Sequence, residues 1–284
     1  MPLRVAAIAL LLFAPLCAQS MAELREALST AAITFSYTAP GLAADESLDQ
    51  RGRRGFLEVL KGKVPTLKNT DLKLPEEFTQ HHVVSQWVLT SDATGFHETR
   101  TAPAIDGISA ADVSAIRHAM SIGVSDSRRA ALEDYEHAQL EGAITDFSPL
   151  LLLFAAPHQS DYEFRLADPD KIGEQPAIVL HYRQLAGTEG LTLFDQRTAD
   201  REPVEGDIWL RESDLLPLRI TLKSRKGLSK NYSIDTAATV DYTPSPYGLA
   251  PAAITERQYL NSKLLVENNL HYSNYHRIGN GLIP

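Results

Sequence analysis

Nine histidines and 36 acidic residues, against 27 lysines and arginines, are the side chains that could hold a metal or move a proton. The tightest pair is His81 and His82, yet neighbours on a strand point to opposite faces and cannot chelate one ion. His271 and His276 face apart in the same way if one strand runs through both. No histidine pair has the i, i+4 helical spacing with a glutamate that zinc hydrolases use, so the histidines read as exposed or singly bonded. Asp168, Asp170 and Gly173 in "DPDKIG" match the start of a calcium loop. The match ends at Ile172 and at Val179, where a bidentate glutamate is required, which leaves a surface turn. Glu76, Glu77, Asp161 and Glu163 are scattered carboxylates that nothing in the sequence sets at a working separation. There is no G-x-S-x-G elbow and no glycine-rich phosphate loop. The sequence therefore points to no catalytic residue, no metal and no cofactor, and to a protein that is not an enzyme.

What it does carry is apolar periodicity. In "DIWLRESDLLPLRITLKS", Asp207 to Ser224, the residues Ile208, Leu210, Leu218, Ile220 and Leu222 fall on every second position, with Arg211, Arg219, Thr221 and Lys223 between them. Two strands and a turn at Glu212 to Pro217 make a hairpin with one oily face. That face is either core or the wall of a site for something apolar, and pattern alone writes both alike.

The elements that must position this hairpin follow along the chain. Met21 to Ala32 is helix-prone, with Leu24, Leu28 and Ala31 at helical spacing. Ala39 to Lys63, with "RGRRG" at Arg51 to Gly55, reads as a solvated loop with at most one helical turn. From Gln80 a strand, a turn at Ser91 to Gly95 and a second strand end near Asp106. A helical insert of about 108–156 follows: Ser127 caps a helix ending at Gly142, and Ser148 with Pro149 opens a short oily helix, "PLLLLF", stopped by Pro157. Beyond it, strands are expected at Tyr162–Leu166, Ala177–Gln184, Leu191–Gln196, Asp207–Arg211, Leu218–Lys223, Lys230–Tyr242, Ala252–Leu260 and Leu264–Tyr275. Their short connections imply an antiparallel meander.

The first twenty residues, MPLRVAAIALLLFAPLCAQS, read as a secretory leader: Arg4, an apolar run from Val5 to Phe13 that is too short to span a membrane, Pro15, then small residues. Cleavage is expected after Ala18 or Ser20. Lipidation at Cys17 is the lesser alternative, because Leu16 stands where a small residue is the rule. Loss of the leader removes the single cysteine, and the net charge of -9, less Arg4, becomes -10. An acidic exported chain with no basic block is a poor candidate for nucleic acid, and no transmembrane anchor is expected once the leader is gone. The expected divisions are a signal peptide at 1–20, a helix and loose segment at 21–64, and one β domain at 65–284.

Several stretches resemble an uncharacterised family of secreted bacterial proteins. They are "VVSQWVLTSDATGFHETRTAPAIDG", "DFSPLLLLFAAPHQSDYEF", "GDIWLRESDLLPLRITL", "DYTPSPYGLAPAAITERQYL" and "HYSNYHRIG", within Lys73 to Gly279. A helical insert followed by amphipathic strands is also similar, at the level of fold, to periplasmic lipoprotein carriers and related lipid-binding half-barrels. The expected architecture is α+β, an antiparallel meander curved into a half-barrel, with the helical segment packing on its apolar face. Trp87, Leu150, Leu153, Phe154, Trp209, Leu218, Ile220, Leu222, Leu270 and Tyr272 are the candidates to line that face. The expected function is binding of a lipid or lipoprotein acyl chain in the cell envelope, periplasmic or extracellular. The alternative is a structural or protein-interaction component of the envelope with a filled core, whose partner would be another envelope protein.

Overall fold

The computed structural model describes residues 20–53, 74, 76–92, 95–106, 108–109, 147–185, 191–195, 198–229 and 232–278. The leader and the helix expected at 128–142 lie outside them. Among the described residues no helix is long and apolar enough to cross a membrane.

The chain folds as an open, curved antiparallel sheet with helical segments on one face: the meander expected from its strand pattern, curved into the half-barrel α+β arrangement that the resemblance implies. Helix α1, Met21–Thr38, starts at Ser20. The Ser20 hydroxyl accepts from Glu23 N at 3.3 Å, and Glu23 Oε2 accepts from Ser20 N at 2.8 Å, a capping box that satisfies donors the first turn leaves free. Leu24, Leu28, Ala32 and Phe35 form its buried stripe. The helix breaks at Pro40 and Gly41, whose φ of +77° lets the chain turn straight into strand.

The strands are β1 (Leu42–Arg53), β2 (Phe78–Asp92), β3 (Gly95–Ile105), β4 (Ile108–Ser109), β5 (Tyr162–Leu166), β6 (Asp170–Ile172) and β7 (Gln175–Gln184). After these come β8 (Leu191–Asp195), β9 (Thr198–Glu202), β10 (Glu205–Arg211), β11 (Pro217–Ser229), β12 (Tyr232–Ser245), β13 (Gly248–Leu260) and β14 (Lys263–Arg277). Their order across the sheet is β4-β3-β2-β1-β14-β13-β12-β11-β10-β7-β5, with β6 paired to β7, while β8 and β9 form a separate hairpin. The first and last strands of that order do not pair, so the sheet stays open.

Three expectations need correction. The loop expected over Ala39 to Lys63 is in fact β1 over Leu42–Arg53, a central strand between β2 and β14. Its inward positions Leu42, Ala44, Glu46, Leu48 and Gln50 include two buried polar residues, which erase the apolar alternation that marks a strand. The oily segment is a 3-10 helix, Ser148–Phe154, with Phe147 rather than Ser148 at its N-cap. Three residues per turn put Leu151 and Phe154 on one face, which suits a segment only seven residues long. The "DPDKIG" turn is strand β6 followed by Gly173 at φ +59°.

The hairpin β10–β11 pairs as its alternation predicts, Ile208 with Ile220 and Trp209 with Arg219. Gly206 is required there: a Cβ at this position would land on the Thr221 carbonyl.

Candidate functional site

The inner face of the sheet is built by alternation. Trp87 on β2, Leu48 on β1, Leu270 and Tyr272 on β14, Ile254 on β13, Val240 on β12, Ile220 and Leu222 on β11, and Ile208 and Leu210 on β10 all fall in one buried cluster. Trp87 and Tyr272 meet edge to face at 5.2 Å. Of the expected lining, Trp87, Leu150, Phe154, Ile220, Leu222, Leu270 and Tyr272 belong to that cluster. Leu153 is half-buried and packs against it, and Leu218 is buried outside it. Trp209 does not belong there. It lies one position out of phase with Ile208 and Leu210, and its Nε1 donates to Asp170 Oδ2 at 3.0 Å on the exposed side.

Among the described residues two elements cover this face, α1 and the 3-10 segment, the latter hereafter the cover. Phe154 plugs the cover into an aromatic box, with ring centroids 4.7 Å from Tyr182, 5.3 Å from Tyr162 and 6.0 Å from Phe164. Polar pegs fix the rest. The Tyr242 hydroxyl accepts from Leu151 N at 3.1 Å and donates to Ser148 O at 3.0 Å. Glu98 Oε1 accepts from Ser148 N at 2.8 Å. Gln159 Nε2 donates to Phe154 O at 3.1 Å and to Arg25 O on α1 at 2.6 Å, so the two covering elements are tied to each other.

Sequence reasoning missed the polar network beneath. Arg100, 1% exposed, donates from Nε to Glu46 at 2.7 and 3.0 Å and from Nη2 to Glu98 Oε2 at 2.6 Å. Glu98 also accepts from Trp87 Nε1 at 3.1 Å, and Glu46 from Ser85 Oγ at 3.0 Å. Burial pulls the Arg100 pKa down, but the facing carboxylates of Glu46 and Glu98 more than reverse this and hold it well above the usual value. Burial, then the Glu46 and Glu98 charges, push the Tyr272 phenol well up; its hydroxyl lies beside Glu46 without the geometry of a good hydrogen bond. Further along the same face, Gln50 Nε2 donates to Asn268 Oδ1 at 2.8 Å and Asn268 Nδ2 to Glu256 Oε2 at 3.0 Å. Burial raises the Glu256 carboxyl from 4.5 to about 7, against the opposing pull of Asn268 and Arg100. The signal for this network was present in "FHETRT": Glu98 and Arg100 share one face of β3 and Thr99 and Thr101 the other, so a strand polar on both faces had to bury one of them.

The histidines part company as their adjacency requires. His81 Nδ1 lies 2.9 Å from Asp106 Oδ2, and His82 Nδ1 lies 2.7 Å from Asp49 Oδ1. Among the described residues no group of three or more His, Cys, Asp or Glu side chains is placed to hold a metal ion. Glu163 is taken up by Arg165 and Arg183 on the outside of the sheet, at 2.6 and 2.9 Å.

No protein-family model matches the chain, and no curated protein matches it. Solved structures with a similar course include a LolA superfamily protein from Nitrosomonas europaea, at 10% identity and TM-score 0.34, covering 89% of this chain and 93% of the other. A domain described as an outer membrane lipoprotein-sorting protein from Vibrio parahaemolyticus follows at 11% identity and TM-score 0.32, covering 92% of each chain. A DUF1329 family protein from Desulfovibrio piger stands at 10% identity and TM-score 0.34, covering 91% of this chain and 94% of the other.

Proposed function

We propose that the protein is an exported, non-enzymatic carrier or binder of an acyl chain, from a lipid or a lipoprotein, in the cell envelope. The observation that supports this most is the way the apolar face is closed. A sheet that keeps its oily side as permanent core commonly buries it under a second sheet or a layer of long helices. Among the described residues the partners are one helix and a seven-residue 3-10 segment, the latter pegged to the sheet by Glu98 and Tyr242. The sheet residues under that cover, from Trp87 to Leu222, belong to one apolar cluster, and displacing the cover to expose them as a trough would break no strand pairing.

The second reading, an envelope component with a filled interior, has its own support: Leu28, Phe35, Leu151 and Phe154 are fully buried in the same cluster as the sheet residues. Fluorescence separates the two. With Trp209→Phe, Trp87 becomes the sole tryptophan, and it sits in the trough. Titration with a pyrene-labelled acylglycerol is expected to give saturable energy transfer from Trp87 at one equivalent. No transfer at micromolar probe refutes carriage and favours the filled core.

A further inference from the structure

A guanidinium is a planar fork with two usable edges. Arg100 spends its Nε and Nη2 edge on Glu46 and Glu98. Its Nη1, on the other edge, is buried and has no hydrogen-bond partner among the described residues. The same holds for Ser148 Oγ, although Ser148 N is fixed 2.8 Å from Glu98 Oε1. Both residues are fixed to the Glu98 carboxylate through other atoms, Arg100 through Nη2 and Ser148 through its backbone N, so their two spare donors sit on neighbouring residues where the cover begins. Buried donors in native interiors are rarely left without an acceptor.

We infer that Arg100 Nη1 and Ser148 Oγ form a polar subsite in the trough that receives the carbonyl oxygen of an ester- or amide-linked acyl chain. This rests on the acyl-binding reading above and specifies the ligand for it. The charge balance selects a neutral acceptor: Glu46 and Glu98 against Arg100 leave one formal negative charge inside an interior that screens poorly. A fatty-acid carboxylate or a phosphate monoester brings a second negative charge to that place. An ester carbonyl offers lone pairs to both donors and brings none. Trp87, paired across the strands with Arg100 and bonded to Glu98, and Tyr272, packed on Trp87, begin the apolar face that takes the hydrocarbon.

The test uses the full exported chain and three probes that share a sixteen-carbon tail: 1-monopalmitoylglycerol, palmitate and hexadecane. Retention is read by native mass spectrometry, and the ester C=O stretch of the carbonyl-labelled glyceride by infrared difference spectroscopy. The wild type is expected to hold the ester about ten-fold more tightly than either palmitate or hexadecane, with the C=O band moved to lower frequency. Arg100→Lys keeps a cation between the carboxylates but loses Nη1, and the ester-to-hexadecane ratio is expected to fall toward one. Should that variant fail to fold, Ser148→Ala removes a hydroxyl that has no partner among the described residues, and is expected to cut the ratio about three-fold and return part of the band shift. Equal retention of ester and hexadecane, or a preference for palmitate, overturns the subsite while leaving acyl binding intact. Retention of none of the three overturns both.

Discussion

Tyr242→Phe removes one oxygen atom of strand β12 that reaches up into the cover, and nothing else. That hydroxyl accepts from Leu151 N at 3.1 Å and donates to Ser148 O at 3.0 Å, so both ends of the first turn of the 3-10 segment are held by it. Tyr242 is buried, and its phenol pKa is pushed up by burial, so the hydroxyl is a neutral donor at any working pH. Two neutral buried bonds at about 0.5–1.5 kcal/mol net each give an expected loss of about 1–3 kcal/mol. The ring stays, so its edge contact with Phe35 at 6.3 Å persists and no cavity term enters. Urea denaturation followed by circular dichroism measures the total. Hydrogen exchange at the Leu151 amide shows where the loss falls. If the cover opens on its own, exchange at Leu151 speeds up by more than the global stability change explains. A destabilisation below about 0.5 kcal/mol, with Leu151 exchange unchanged, refutes the claim that this hydroxyl pegs the cover.

Within the 3-10 segment Leu151 is fully buried while Leu152 and Leu153 are both half-buried. Leu151→Ala, at a fully buried site, is expected to cost about 2–5 kcal/mol by chemical denaturation, and Leu153→Ala about 1 kcal/mol or less. Ser20→Ala removes the cap of α1 and is expected to cost about 1 kcal/mol in the same assay; N-terminal sequencing of the exported form should give Gln19, since cleavage after Ser20 discards that cap. Glu256 has a folded pKa raised to about 7 from 4.5, so its contribution is fully present below pH 4.5 and is lost as pH rises through 7. The loss is about 3 kcal/mol, and Glu256→Gln is expected to flatten that part of the stability-against-pH curve and to be more stable than wild type at pH 8.

The hairpin was legible in the sequence because Ile208, Leu210, Leu218, Ile220 and Leu222 alternate with charged and polar residues, and a two-residue period has one structural meaning. Strands β5, β7, β10 and β14 fall within about two residues of their expected bounds for the same reason. Strand β1 was not legible: Glu46 faces inward between Ser85 and Tyr272, and its partner Arg100 is 54 residues away on β3, so no local pattern distinguishes it from a solvated loop. The inner face also resists reading where it turns polar. Gln50, Asn268 and Glu256 meet side by side from three strands, and only the pairing of β1 with β14 and of β14 with β13 brings them together. Trp209 misled for the opposite reason, since a large aromatic reads as buried wherever it stands, although its phase in the hairpin set it on the outer face.

Acyl-chain binding under the cover is read by native mass spectrometry of the protein expressed with its full sequence in a bacterial host and purified without detergent. A retained adduct with the mass of an ester- or amide-linked acyl species is expected, released when Phe154→Ala empties the box formed by Tyr162, Phe164 and Tyr182. A clean apo mass for the wild type, unchanged after incubation with envelope lipids, contradicts it and leaves the oily face of the β10–β11 hairpin as core alone.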